Sequence, residues 1–158
     1  MKRVLLVVAM SVIGLCISSS LSIAQHGHGG MSGGSMKMDT KEVIVEGVKV
    51  VFQIMPNEEH KKMLKDMKMK EDPEGGTTHN ITVTLKDEKT QKEVTNAEIQ
   101  MKVVDSKGKD QIKTLKYEGE MKSYDAYFNL PAKGKYQVLV LFKIGEQKRT
   151  AGIHYEVK

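Results

Sequence analysis

Nine methionines and five histidines lie beyond residue 24 of this 158-residue chain, and most of them fall in two groups. His26, His28, Met31, Met36 and Met38 crowd the stretch QHGHGGMSGGSMKMDT, residues 25–40. His60, Met63, Met67 and Met69 crowd the segment just before the longest run of β-type sequence. Thioether and imidazole together suit cuprous copper. A thioether is soft, has no proton to lose and forms no disulfide in an oxidising compartment; imidazole accepts copper in either oxidation state. Zinc, nickel or iron would make less use of Met. In 25–40, Gly spacers let two or more such donors wrap one ion at little steric cost, and nothing hydrophobic there needs packing.

The second group is read two ways. If residues 57–68, NEEHKKMLKDMK, are helical, His60, Met63 and Met67 share one face with Leu64. A stripe at that spacing also packs onto a sheet, with His60 at its edge. Met69 falls outside the stripe. Met67-Lys68-Met69 echoes Met36-Lys37-Met38, and in an extended chain the two Met of each pair point the same way. His79 opens a strand on its inward face, and the 73–78 loop returns the chain to it, so Met67, Met69 and His79 can meet at one end of the domain. The other reading of His79 is a partly buried, hydrogen-bonded imidazole. Met101 reads as core. Met121 falls in a loop that strand reversals place at the opposite end from His79. His154 points outward beside Glu156.

The elements that would position these residues are mainly strands. Val43, Val45, Val48, Val50, Phe52 and Ile54 alternate, with Gly47 shifting the register as a bulge would. Pro56-Asn57 stops that strand, and Asn57 N-caps the helix, with Glu58 and Glu59 in its first turn and Lys65 and Lys68 in its last. Inward positions then repeat at His79, Ile81, Val83, Leu85; at Ala97, Ile99, Met101, Val103; and at Tyr124, Ala126, Phe128, Leu130. A weaker strand lies near 111–117. Tyr136 to Ile144 is the most apolar strand, and Gly145-Glu146 turns it into Ala151, Ile153, Tyr155 and Val157. About seven short strands with frequent turns and one short helix predict an all-β, immunoglobulin-like sandwich.

Residues 1–24 read as a cleavable signal peptide. Lys2 and Arg3 precede an apolar run from Val4 to Ile17, and Ser22-Ile23-Ala24 offers the small residues a signal peptidase reads. The run is shorter than the roughly 20 residues a membrane span needs. Cys16 follows Leu15 rather than a small residue, so ordinary cleavage after Ala24 is expected in place of lipoprotein processing. Residues 25–40 then form a flexible tail and 41–158 the sandwich. The mature chain has no cysteine, so thiolates neither cross-link it nor bind metal.

Net charge is +5, falling to +3 without Lys2 and Arg3, and the two signs are finely mixed. That is a solvated surface, not a nucleic-acid stripe. A catalytic role is not expected. There is no Cys nucleophile after the signal, no Ser in a nucleophile elbow, and no pair of His at helical metal-ligand spacing.

The stretches THNITVTLKDEKTQKEVTNAEIQMKVV and GEMKSYDAYFNLPAKGKYQVLVLF carry a resemblance. A His opens a strand (His79), a short Met loop precedes a Tyr-x-x-x-Phe strand (Met121, Tyr124, Phe128), and a Gly-x-Tyr strand follows (Gly134, Tyr136). Over residues 77–157 the chain resembles the YtkA-like domains of exported bacterial proteins, and more broadly the CopC-like periplasmic copper-handling sandwiches. The resemblance implies an immunoglobulin-like fold and a part in metal, chiefly copper, handling at the cell envelope. Gln25, not His, would stand first in the mature chain, which departs from the cupric site of CopC-like proteins.

The expectation is therefore a periplasmic, monomeric, cuprous-copper-binding chaperone or buffer, with candidate ligands His26, His28, Met31, Met36, Met38, His60, Met63, Met67, Met69 and His79. Its partners would be the metal ion and an envelope or membrane copper-handling protein, with no nucleic acid. The rival expectation is an accessory sandwich that docks on an envelope or membrane protein, with the tail only a linker.

Overall fold

Strict alternation of apolar and polar residues sets most of the architecture. In the computed structural model, which describes residues 37–158, the alternation becomes eight antiparallel strands and one helix. They are β1 (Asp39–Val45), β2 (Val48–Pro56), α1 (Asn57–Asp66), β3 (His79–Asp87), β4 (Glu98–Val104), β5 (Asp110–Glu118), β6 (Ser123–Phe128), β7 (Gly134–Ile144) and β8 (Gln147–Val157). Strand order is β1-β2-β3-β6-β5-β4-β7-β8. The signal-peptide reading and His26, His28, Met31 and Met36 lie outside the described residues. Among the described residues no helix is long and apolar enough to cross a membrane.

Two sheets arise because β5 changes partner along its length. Asp110 to Leu115 pair with β4, while Lys116, Tyr117 and Glu118 pair with β6. The chain is thus an immunoglobulin-like all-β sandwich, nearly closed where β1 approaches β8 and Lys41 Nζ bonds the His154 carbonyl. Between the sheets lie Phe52, Phe128, Phe142, Ile81, Val83, Met101 and Val140, all fully buried. Burying a side chain of that size contributes about 1.5–3 kcal/mol. Tyr124 joins them because its hydroxyl is satisfied: it accepts from the Ala97 N–H at 3.0 Å and donates to the Val94 carbonyl at 3.1 Å.

The predicted bulge at Gly47 is instead a two-residue hairpin turn, which is why eight strands stand where about seven were expected. Val45 pairs with Val48, and both intervening residues are left-handed, Glu46 at φ +47° and Gly47 at φ +76°. That is the signature of the turn whose twist matches its flanking strands. A Cβ on Gly47 would meet nothing within 4 Å, so any cost of adding one is conformational. Gly47→Ala is expected to lower stability by about 1–2 kcal/mol, read as a shifted urea midpoint with unchanged slope.

Candidate metal centre

Helix α1 is set by its ends. Pro56 occupies the N-cap, and Asn57 is the first helical residue, not the cap expected of it. Its N–H donates to the Thr78 carbonyl at 2.9 Å and its side-chain amide to Thr77 Oγ1 at 2.9 Å, tying the helix start to the chain entering β3. The helix ends at Asp66, earlier than the predicted Lys68. Lys68 adopts φ +59°, its N–H bonds the Lys65 carbonyl, and the Met69 N–H bonds the Leu64 carbonyl at 2.9 Å. This pair of bonds is a Schellman stop. The left-handed Lys68 breaks the extended geometry in which Met67 and Met69 would point the same way.

His60 and Leu64, one turn apart, face the sheet and are buried. They cover the outer side of β2, β3 and β6, where register aligns Met55, Asn80 and Tyr127 in one row. Met55, Asn80 and Tyr127 are buried there, apart from the main core. His60, expected at the edge of the stripe, is therefore enclosed, with no exposed surface. Its Nδ1 lies 3.0 Å from the Tyr127 hydroxyl, and the two rings meet edge to face at 5.4 Å. The same hydroxyl lies 3.4 Å from Glu71 Oε1. Burial pushes the His60 pKa below the ordinary histidine value, with Glu71 opposing. Burial, and then Glu71, push the Tyr127 phenol up. Asn80 donates to Asp125 Oδ2 at 2.8 Å and accepts from Thr82, and burial raises the Asp125 carboxyl.

His79 sits on the other side of the same sheet, since it and Asn80 are consecutive in β3. Its Nδ1 is 2.8 Å from Thr78 Oγ1, and its ring meets Tyr155 edge to face at 5.8 Å. The expected meeting of Met67 and Met69 with His79 is not formed: α1 and its Schellman stop cover the face away from which His79 points. Met67 is 44% exposed at the helix end, with Met63 and Met69 half-buried, so these thioethers stand on the helix side. Among the described residues no three His, Cys, Asp or Glu side chains converge as a metal-holding group.

Met38 is 39% exposed and leads directly into β1. Asp39 pairs with Ile54, so the 25–38 segment joins the sandwich at the end where β2 passes into α1 and His79 opens β3. Met121 lies in the loop between β5 and β6, at the opposite end, because Phe128 rather than Ser123 pairs with His79. Met101 is core and His154 is exposed.

Burial also holds the His79 pKa below its ordinary 6.5. The unfolded chain then binds the proton more readily, so stability present above that value falls as pH drops through it toward the lowered native pKa. His60 adds the same sign. Facing His79 are Thr78 and Tyr155, with Asp39 near the Tyr155 phenol. Metal-free His79→Gln is expected to lose less stability than the parent between about pH 7.5 and about pH 5.5, measured by urea unfolding.

Tyr127, Glu71 and Met55 are the residues of this region that sequence reasoning missed. Comparison with known proteins gives no match to any family model and none to a curated protein. Solved structures do match. FetP from uropathogenic Escherichia coli strain F11, crystallised as isolated after recombinant expression in the E. coli periplasm, superposes with a TM-score of 0.58 at 10% identity, covering 78% of this chain and 97% of its own. A copper-bound variant of the same FetP gives 0.57 at 10% identity, over 76% and 97%. A DUF4426 family protein from Pseudomonas aeruginosa PAO1 gives 0.55 at 14% identity, over 75% and 94%. At these identities what the chain shares with them is its fold, the all-β sandwich.

Proposed function

We propose that this chain is an exported, periplasmic copper-binding protein, a chaperone or buffer that catalyses no reaction. Cuprous ions are taken by the N-terminal arm through His26, His28, Met31, Met36 and Met38, with the sandwich as carrier and docking surface. The observation that carries this reading is the density of neutral soft and borderline donors: five in the thirteen residues 26–38, spaced by Gly and with no aliphatic residue among them. The copper-bound FetP variant supports it from the side of the fold. Within the sandwich, His79 Nδ1 lies beside Thr78 Oγ1 and its ring against Tyr155, while the thioether of Met67 is exposed at the helix end.

The test is an anaerobic competition titration of residues 25–158 with cuprous copper, beside a chain lacking 25–38. Capacity that falls with the arm supports a tethered capture segment. Equal uptake by both chains, or none by either, rejects it, and retained binding to an envelope protein without the arm would favour the docking module.

A further inference from the structure

Among the described residues three buried side-chain atoms lack a hydrogen-bond partner, Asn57 Oδ1, His60 Nε2 and Ser123 Oγ, and of these only the imidazole nitrogen is a soft-metal donor. His60 Nε2 is enclosed, and no protein group lies within hydrogen-bonding reach of it. Leaving such an atom unsatisfied is costly, and a bound ion is one of the things that resolves it. We propose that His60 is a second cuprous ligand, held beneath α1 with its Nε2 lone pair free for the metal; this rests on the copper-binding reading above.

The hydrogen-bond chain sets which nitrogen carries the proton. Glu71 is an exposed carboxylate and accepts only, so the Tyr127 O–H points to its Oε1. The Tyr127 oxygen then accepts from His60 Nδ1–H across 3.0 Å. A neutral imidazole protonated at Nδ1 presents an unprotonated Nε2. A metal-binding imidazole commonly donates its other ring N–H to an acceptor that orients it and raises its basicity, the place Tyr127 takes here. Two methionines belong to the same region. Met55 is fully buried in the same layer, in one row with Asn80 and Tyr127, and Met63 is three residues along α1, on the neighbouring turn. Imidazole with thioether is a donor set for a soft monovalent ion, without need of the His, Asp or Glu cluster a harder metal takes.

The experiment is long-range proton–nitrogen NMR of the imidazoles in the 15N-labelled chain 25–158, metal-free and with cuprous copper added anaerobically. A version with the five arm donors replaced runs alongside. Metal-free His60 is expected as the Nδ1–H tautomer, and copper should move its Nε2 resonance in both chains. Tyr127→Phe, a variant that keeps the ring, should weaken this site by roughly 10–100-fold and shift the tautomer balance. An Nε2–H tautomer, or His60 resonances unmoved once the arm is saturated, overturns the inference and leaves the arm reading standing. No copper bound by either chain overturns both.

Discussion

Replacing His26, His28, Met31, Met36 and Met38 together, by Gln and Leu, is expected to weaken the tightest cuprous binding of the mature chain by at least about a hundredfold, or about 2.7 kcal/mol. The size follows from chelation. Once one donor holds the ion, short Gly-rich spacers keep the next at an effective concentration in the millimolar range, so each donor multiplies affinity without a preformed cavity. Removing all five returns the problem to His60 beneath its helix and to scattered thioethers such as Met67. The competition titration reads the change directly, and far-ultraviolet dichroism should stay that of the parent sandwich. Replacing only Met121, at the far end of the domain, should leave the affinity unchanged.

Phe128→Ala should do the reverse, lowering stability by about 3–5 kcal/mol while leaving arm binding intact. Phe128 is fully buried between the sheets, pairs with His79 across β3–β6, and carries the Lys113 ammonium 5.8 Å above its ring centre. The loss combines transfer of a ring to water with the cavity left behind. Against a typical total of about 5–15 kcal/mol, that is a large share, and the urea midpoint should fall accordingly. Copper affinity measured below the unfolding transition should hold if, as proposed, the donors are those of 26–38. A parallel loss of affinity would mean that the tight site is built by the sandwich.

The strands were legible wherever one face meets the core and the other meets water. Ile99, Met101 and Val103, or Ala151, Ile153 and Tyr155, alternate as expected and are buried as expected. Reading failed where a second layer covers the outer face. Met55 beside Ile54, and Tyr127 beside Phe128, break the alternation because both sides of those strands are buried, the pattern of a sheet covered twice. That doubled burial was the signal for what α1 conceals, and it also explains why Asn80 and Thr82 are enclosed although polar. Gly47 misled because one Gly within an alternating run suits a bulge and a hairpin equally. The hairpin needs a second left-handed residue, and Glu46 is not a type that announces one. Which side of the sheet His60 and His79 each take depends on where α1 docks, a long-range fact that local spacing does not contain. The proposed arm donors were read from composition alone, and His26, His28, Met31 and Met36 lie outside the described residues.

The most direct test is the methionine ε-methyl spectrum of the chain 25–158 during anaerobic addition of cuprous copper. Nine signals are available, and each thioether reports for itself. The copper-arm account predicts that Met31, Met36 and Met38 shift within the first equivalent while core Met101 stays fixed. If those three remain unmoved through several equivalents, the arm does not hold the metal and the account is wrong.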